Sequence, residues 1–448
     1  MQKSCCILAF SKTRKILVER KNAEILFAFT GQNGIFCVFC CEFKAKNQEK
    51  SSFVNLNKRI FRVALILLQQ TFGHLEYVLK DPRFSSLRET PSAVGEMCPC
   101  KPQAAEVARA LVQNMAKRHP ESRYIHIGCD EVWSLGTCKQ CAESGKSRVQ
   151  LFIEFVNQVI EAAAEQGKTP LLWHDMFEHA TEEELAQLDR RAVVCIWIYN
   201  GNDLVTRVRE FAQRLDAAKI TYWACPAVRA WDCDDRQNYP VLSERINNIR
   251  LWSQAVQELG IQGVINTNWA ACFALAKPYG VYEASFYPMY YAVEKCWNPQ
   301  ADDEDFIKRF FHDFHGYAAE DDPTFSRGYR NEDYFELCAG LAGKLSKHDD
   351  IAQLIRTMRK FELPTMRYFP LTVVLYRQEF FSSSDERGSL ENKYLAVKNT
   401  LQQVEPEMKR VLAPFLSDDS IQQYMRSRFL VEELLLKQAE GYLSQKTC

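Results

Sequence analysis

The sequence predicts an α/β fold, a TIM-type (β/α)8 barrel followed by a helical C-terminal region. From about residue 62 onward, short runs of β-branched and aromatic residues alternate with longer amphipathic stretches, which is the pattern of βα units around a parallel sheet. The length of 448 residues fits such a barrel with an additional segment. Pattern and length therefore agree on the fold class.

The sequence shows fewer clear strand candidates than the eight strands that a (β/α)8 barrel needs. Six candidates can be recognised, with helical patterns such as residues 149–166 and 247–259 between them: residues 63–69, 124–129, 170–174, 192–198, 220–225 and 263–268. An eight-stranded barrel needs two more, and before residue 61 only residues 23–30 and 34–41 have strand-like composition. The sequence therefore leaves open whether the barrel is complete at its N-terminus.

These patterns divide the chain into three parts. Residues 1–60 form an atypical N-terminal segment whose strands are divergent or missing, and residues 61–300 form the barrel. Residues 301–448 form a helical region, with helical spacing at residues 333–347, 350–360 and 421–443. The polar stretch 382–388, SSSDERG, predicts a solvated loop. In a parallel barrel the functional site lies at the C-terminal ends of the strands.

The composition argues against several classes of partner. The formal net charge is −1, with basic residues scattered among acidic ones, which argues against nucleic acid and anionic membrane surfaces as partners. The apolar run at residues 24–43 is interrupted by Gly31, Gln32, Asn33 and Gly34, so we expect no membrane span. The first residues lack the features of a secretory signal, which predicts a cytoplasmic or nuclear protein. The oligomeric state cannot be predicted.

The most informative motif is YIHIGCDEVW at residues 124–133, an apolar strand that leads into two adjacent acids. In a regular strand Asp130 shares the barrel-facing side with His126, whereas Glu131 does not, so both acids can converge only if the chain turns near Cys129. Two carboxylates in an aromatic pocket separate their protonation states, which leaves one as an acid. The alternative is an N-capping Asp with an exposed Glu at the start of a helix.

HIGCDEVW is similar to the His-x-Gly-x-Asp-Glu signature of glycoside hydrolase family 20, in its hexosaminidase D-like branch. The resemblance continues in LILLQQTFGHLEYVL, TPLLWHDM, VVCIWIY, TYWACPAVRAW and GVINTNW, which follow in the order of that branch over roughly residues 62–300. It implies a β-N-acetylhexosaminidase that acts on N-acetylhexosamine-terminated glycoconjugates and needs no cofactor or metal. Whether N-acetylgalactosamine or N-acetylglucosamine is preferred stays open.

The resemblance also implies roles for the two acids. In this family the substrate's own acetamido group replaces an enzyme nucleophile in a retaining reaction. Glu131 then protonates the leaving oxygen and later activates water, and Asp130 orients the acetamido N–H. His74, which follows a glycine, is placed beside the acid pair, together with His126. The alternative for a lone histidine is a satisfied core residue.

Aromatic and acidic residues at the strand ends predict a sugar pocket. Indole faces stack on the apolar face of a sugar, although ordinary core packing is the alternative for each of them. Tyr199 is matched by resemblance to a group that hydrogen-bonds the acetamido oxygen, and Asp175 is either a ligand of a hydroxyl or of the acid pair, or a solvated loop residue. The predicted substrate-binding residues are Trp173, Asp175, Trp197, Tyr199, Trp223 and Trp269, and Trp231 lies in a similar place.

Cysteines raise the question of a metal. Cys98 and Cys100 form a CPC pair and Cys138 and Cys141 a CKQC pair, in loops that would be neighbours in a barrel. A four-thiolate zinc site is conceivable, but the one-residue spacing of the first pair and the total of 17 cysteines favour no metal.

The sequence departs from the family at two places, which keeps other functions open. No basic residue of the first strand can be located in residues 1–60, and Ala270 and Ala271 stand where many relatives carry an acid. The alternative function is a catalytically impaired member that binds carbohydrate or another protein. A metal-dependent hydrolase is disfavoured because His74 and His126 lack paired ligand spacing.

Overall fold

The computed structural model describes residues 25–30, 38–42, 63–230, 240–269, 282–318, 322, 325, 328–360, 371, 375 and 384–444. Within these ranges the fold is built on a nine-stranded sheet. The strands are β1 (Ile25–Thr30), β2 (Val38–Glu42), β3 (Val63–Leu68), β4 (Tyr124–His126), β5 (Thr169–Trp173), β6 (Val193–Trp197), β7 (Thr221–Cys225), β8 (Ala227–Arg229) and β9 (Gly263–Asn268).

The sheet curls into a closed ring. Its order is β2-β1-β3-β4-β5-β6-β7-β9, and β2 also pairs with β9, so eight strands meet around the ring and β8 is attached to β9. Seven of the eight run parallel, whereas β2 is antiparallel to both of its neighbours. The predicted barrel is confirmed.

The two N-terminal strands explain both the closure and its irregularity. The predicted strands at residues 23–30 and 34–41 correspond to β1 and β2, which complete the ring and leave no open edge between β1 and β9. Seven residues separate β1 from β2. A parallel pairing needs a crossover of about a dozen residues or more, so this connection allows only the antiparallel arrangement. The regular (β/α)8 alternation is therefore broken at β2.

Helices surround the ring and continue beyond it. They are α1 (Glu76–Leu79), α2 (Pro102–Arg118), α3 (Lys139–Glu143), α4 (Arg148–Glu165), α5 (Glu182–Leu185), α6 (Leu204–Ala218), α7 (Leu242–Leu259), α8 (Phe286–Trp297), α9 (Asp303–Asp313), α10 (Tyr334–Leu341), α11 (residues 349–360), α12 (Ser384–Leu412), α13 (Asp418–Arg428) and α14 (Leu430–Leu443). No helix in the described residues is long and apolar enough to cross a membrane.

Two predicted elements of the chain need correction, and one strand was not predicted. The loop predicted at residues 382–388 is wrong from Ser384 onward, where α12 begins. The helix predicted at 421–443 is interrupted at Phe429, between α13 and α14. Strand β8 was not predicted, because Pro226 ends β7 and the chain re-enters the sheet after it.

The strand residues alternate between two cores. Leu172, Val194 and Ala224 face outward and belong to a core shared with α2, α4 and α6. The residues between them face into the ring and form a second, interior core: Ile66, Leu68, Tyr124, Leu171, Trp173, Val193, Cys195, Trp223, Cys225 and Ile265. Trp197 and Trp269 pack on this interior core at its C-terminal end, which is the end where the site was predicted.

The C-terminal helices form two further layers. One core joins α8, α9, α10 and α11 to Val228 of β8 and Ile246 and Ile249 of α7, so the first layer packs directly on the barrel. Leu354 and Met358 of α11 enter another core with α12, α13 and α14. The helical region is therefore stacked outward from the barrel through α11.

The close approach of Gly263 to Trp223 gives a test of the interior core. A Cβ on Gly263 would lie 2.3 Å from the Trp223 ring, so Gly263→Ala should lower the free energy of unfolding by about 1–3 kcal/mol. Gly340 in α10 has open space around it, and Gly340→Ala should be neutral or stabilising by up to about 1 kcal/mol. Urea unfolding of both variants measures the difference. Equal stability of the two would contradict the packing described.

Candidate active site

The chain turns sharply where β4 ends. Ile127 N–H donates to Leu171 O at 2.7 Å and Trp173 N–H donates to Gly128 O at 3.1 Å, so pairing with β5 continues to Gly128. Gly128, Cys129 and Glu131 then adopt positive φ values of 71°, 71° and 52°. Non-glycine residues rarely adopt this conformation, and its cost is sustained only where the surroundings enforce it. This is the turn that the adjacent acids require.

The segment after β3 holds this turn in place. Gln70 Oε1 accepts a hydrogen bond from Cys129 N–H at 3.3 Å, and Gln70 Nε2 donates to Asp130 Oδ1 at 2.9 Å. A Cβ on Gly128 would lie 1.8 Å from Gln70 Oε1, and one on Gly73 would lie 2.2 Å from the Asp130 carbonyl oxygen. Both glycines are therefore required by close approach of two segments.

His74 joins the two acids. Its Nε2 lies 3.4 Å from Asp130 Oδ2 and 3.3 Å from Glu131 Oε2, and its backbone has a positive φ of 54°. Burial disfavours the charged imidazole, but hydrogen bonds and Coulombic attraction from both carboxylates outweigh it and raise the pKa of His74 to about 11. A protonated His74 therefore offsets the negative charge of Asp130 and lies beside the side chain of Glu131.

Asp175 is the third acid of the site. Its Oδ2 accepts a hydrogen bond from Glu131 N–H at 2.8 Å. Burial, and then the charge of Asp130, raise the pKa of Asp175 to about 7. Burial acts in the same direction on Asp130, but the hydrogen bond and charge of His74 and the hydrogen bond from Gln70 leave the pKa of Asp130 below its usual value. Asp130 and Asp175 are thus the pair whose protonation states are driven apart.

Three aromatic side chains form a wall at the C-terminal end of the interior core. Trp269 Nε1–H donates to the Tyr199 hydroxyl at 2.8 Å. The Trp197 and Tyr199 rings are stacked, with centroids 5.1 Å apart, and the Tyr199 and Trp269 centroids are 6.5 Å apart. All three are only partly buried, so their faces remain accessible at this end of the barrel.

Two of the predicted sugar contacts are more deeply buried than the residues of this wall. Trp223 is 3 % exposed and packs edge-on against Tyr124, with centroids 5.2 Å apart. Trp173 is 1 % exposed and lies against His126 and Trp269, with centroids 4.2 Å and 6.2 Å apart. Both indoles belong to the interior core of the barrel, and a contact of either with a sugar stays a prediction.

His126 lies below the acid pair. It is buried, and its Nδ1 accepts a hydrogen bond from Gly128 N–H at 3.1 Å. This contact supports the turn without touching either catalytic candidate. Trp231, Ala270 and Ala271, which the sequence also singled out, lie outside the described residues.

Two residues of this region had no assigned role. Gln70 carries two of the contacts that fix the turn, and the signal for it was its position between strand β3 and the Gly73-His74 turn. Trp133 is 64 % exposed, two residues beyond Glu131.

Comparison with known proteins agrees with this geometry. A family model described as "Glycosyl hydrolase family 20, catalytic domain" matches residues 78–299, which include Asp130, Glu131 and the aromatic wall. This region of the chain is therefore similar to the catalytic domain of glycosyl hydrolase family 20. The match begins after Gln70 and His74 and so does not include these two residues.

Two curated relatives are each named "Hexosaminidase D". The Bos taurus protein is 26 % identical over 217 residues, which are 46 % of this chain and 62 % of the relative. The Homo sapiens protein is 28 % identical over 217 residues, which are 46 % of this chain and 44 % of the relative. The chain therefore spans less than two thirds of the length of either relative.

A solved structure of a β-N-acetylhexosaminidase from Bacteroides fragilis is also similar. It has a TM-score of 0.41 and 17 % sequence identity, and the alignment covers 56 % of this chain and 52 % of that one.

The charge state of His74 can be measured directly. Its pKa of about 11 predicts an imidazolium throughout neutral pH, whereas burial lowers the pKa of His174 to about 3 and predicts a neutral ring. Imidazole ¹⁵N chemical shifts should therefore show one charged and one neutral histidine, neither titrating near neutrality. Titration of His74 near the usual value of about 6.5 would show that the ion pairs do not form.

Proposed function

We propose that this chain hydrolyses terminal, non-reducing β-N-acetylhexosamine from glycoconjugates by a retaining, substrate-assisted reaction. The observation that carries the proposal is the shared contact of Asp130 and Glu131 with His74 Nε2. Two carboxylates that act on opposite sides of a glycosidic bond stand about 5–9.5 Å apart across a cleft. Adjacent acids on one turn instead suit a mechanism in which the substrate supplies the nucleophile.

The first step forms a cyclic intermediate from the sugar. Glu131 donates a proton to the glycosidic oxygen while the acetamido carbonyl oxygen attacks C1, and the C1–O bond to the leaving group breaks. Asp130 accepts a hydrogen bond from the acetamido N–H, whose positive charge grows as the carbonyl oxygen bonds to C1. A carboxylate with a lowered pKa is suited to this role, since it stays ionised.

The second step restores the enzyme. Glu131, now ionised, removes a proton from water, and the water oxygen attacks C1 while the bond from C1 to the acetamido oxygen breaks. Two inversions at C1 return the β configuration. Glu131 suits both proton transfers because its side chain is 35 % exposed, compared with 9 % for Asp130, and therefore reaches the leaving group and solvent.

The aromatic wall holds the sugar in this orientation. Trp197 and Trp269 offer partly exposed faces for stacking, and the Tyr199 hydroxyl accepts from Trp269, which fixes its position. In the proposed complex the Tyr199 hydroxyl donates a hydrogen bond to the acetamido oxygen. Asp175 holds the backbone of Glu131 and, through its pKa near 7, couples the acid pair to pH around neutrality.

The proposal includes a reducing compartment. Nine cysteines between Cys98 and Cys338 are free thiols, which is the usual state in cytoplasm and nucleus. The alternative of a non-catalytic binding protein depended on missing N-terminal strands, and it loses that support because β1 and β2 close the ring.

The two acids should be separable by substrate. Glu131→Gln should lower kcat/KM for β-N-acetylhexosaminides by about 10²–10⁴-fold with little change in ligand binding, because the proton donor is lost. Asp130→Asn should slow cleavage of the same substrates through loss of acetamido orientation. Chromogenic β-N-acetylgalactosaminide and β-N-acetylglucosaminide are the substrates for both measurements.

The control for these variants is Glu178→Gln, since Glu178 pairs with Arg207 on the surface and should leave kcat/KM unchanged. Equal hydrolysis of matched glycosides that lack the acetamido group would contradict the proposed nucleophile.

Tyr199→Phe tests the acetamido contact. Removal of the hydroxyl that accepts from Trp269 Nε1 should lower kcat/KM by about 10²-fold, mainly through kcat, because the hydrogen bond strengthens as charge develops. The matched control is Tyr222→Phe, whose hydroxyl faces Asp216 at 3.4 Å on the outside of the barrel. Steady-state kinetics of both variants measure this difference. A similar small change of kcat/KM in each would show that Tyr199 does not take part in the mechanism.

A further inference from the structure

Three thiols and a carboxylate converge beside the proposed active site. Glu89 and Cys98 come from the connection after β3, and Cys138 and Cys141 come from the connection after β4. The Cys98 Sγ lies 3.4 Å from Cys138 Sγ and 3.6 Å from Cys141 Sγ. One ligand atom from each of the four residues lies within 4.8 Å of all the others. The connections therefore meet at a compact set of metal-ligating atoms.

The backbone is arranged to hold these atoms. Cys138 is the N-cap of α3, and its Sγ accepts a hydrogen bond from Cys141 N–H at 3.4 Å. The carboxylate of Glu89 accepts from Cys138 N–H at 2.9 Å and contacts Cys141 Sγ at 3.6 Å. The two cysteines of the CKQC pair are thus turned toward Glu89 and Cys98 by the local fold.

The burial of this cluster favours a bound cation. Glu89, Cys98 and Cys141 are buried, and a buried carboxylate surrounded by sulfur atoms has lost its hydration. A divalent cation at the centre would compensate for this loss and hold the thiols as thiolates. Sulfur atoms bound to zinc at about 2.3 Å in a tetrahedron stand about 3.8 Å apart, close to the separations seen here. The cluster therefore has the size and donor set of a zinc site.

We propose that Glu89, Cys98, Cys138 and Cys141 form a structural zinc site that ties the connection after β3 to the connection after β4. Binding replaces the three thiol protons, which pass to solvent. The one-residue spacing between Cys98 and Cys100 is then no obstacle, because Cys100 is not a ligand: it lies 3.5 Å from Cys141 Sγ, at the edge of the cluster. The site is independent of the hydrolytic chemistry proposed above.

The position of the site gives it a structural consequence. Glu96, two residues before Cys98, accepts hydrogen bonds from both the backbone N–H and the hydroxyl of Ser134, each at 2.6 Å. Ser134 follows Glu131 by three residues. The metal would therefore hold together the same two connections that carry His74 and the acid pair.

Metal content and thermal stability test the proposal without reference to activity. Full-length protein purified under reducing conditions and supplied with Zn²⁺ should contain one zinc ion per chain by elemental analysis. Its Tm should fall by about 5 °C or more when a chelator removes the ion. Co²⁺ in place of Zn²⁺ should give a thiolate-to-metal charge-transfer band in the near ultraviolet.

Matched variants distinguish a specific site from loose thiol binding. Cys138→Ser should lose the zinc and show no response of Tm to chelator, whereas Cys100→Ser should keep both the ion and the response. If Cys138→Ser does not fold, Cys100→Ser and the Co²⁺ spectrum of the unaltered chain still decide.

The proposal is overturned if the unaltered, reduced chain binds no zinc. It is also overturned if mass spectrometry of protein prepared without reductant finds a Cys98–Cys138 disulfide and zinc does not protect those thiols. Zinc lost equally from Cys100→Ser would show that the ligand set is wrong.

Discussion

The structure depends on a single chain reversal at the end of β4, which is held by residues that follow β3. Gly128, Cys129 and Glu131 take left-handed conformations that a free strand would avoid. Gln70 binds Cys129 and Asp130 within that reversal, and His74 contacts both Asp130 and Glu131. The strained backbone and the buried charge of Asp130 are thus both stabilised by one neighbouring segment.

The acids and the aromatic wall lie at one end of the barrel. Below the rim, inward-facing side chains such as Trp223 and Leu171 form an apolar core, where an unpaired charge would be costly. At the rim the same inward-facing series continues as Trp197 and Trp269, which are only partly buried. The acids, their histidine and the aromatic wall lie together at this end of the ring.

Much of the barrel and of the acid pair could be predicted from the sequence, because hydrophobic periodicity and short motifs depend on local structure. Six parallel strands and the adjacent acids were recognisable, and so was the placement of His74 beside them. The closure by β2 was not, because antiparallel pairing with β9 is a long-range contact that no local pattern encodes. The depth of Trp173 and Trp223 could not be predicted for a related reason: period-2 alternation gives the face of the sheet but not the depth within the barrel.

The most direct test of the central claim is the configuration of the sugar at the moment of release. Purified protein is mixed with a chromogenic β-N-acetylgalactosaminide or β-N-acetylglucosaminide near neutral pH, and the anomeric protons are followed by NMR from the first turnovers. The proposed arrangement of Asp130 and Glu131 predicts that the β-anomer appears first and then mutarotates. First appearance of the α-anomer, or no hydrolysis by folded protein, would contradict it.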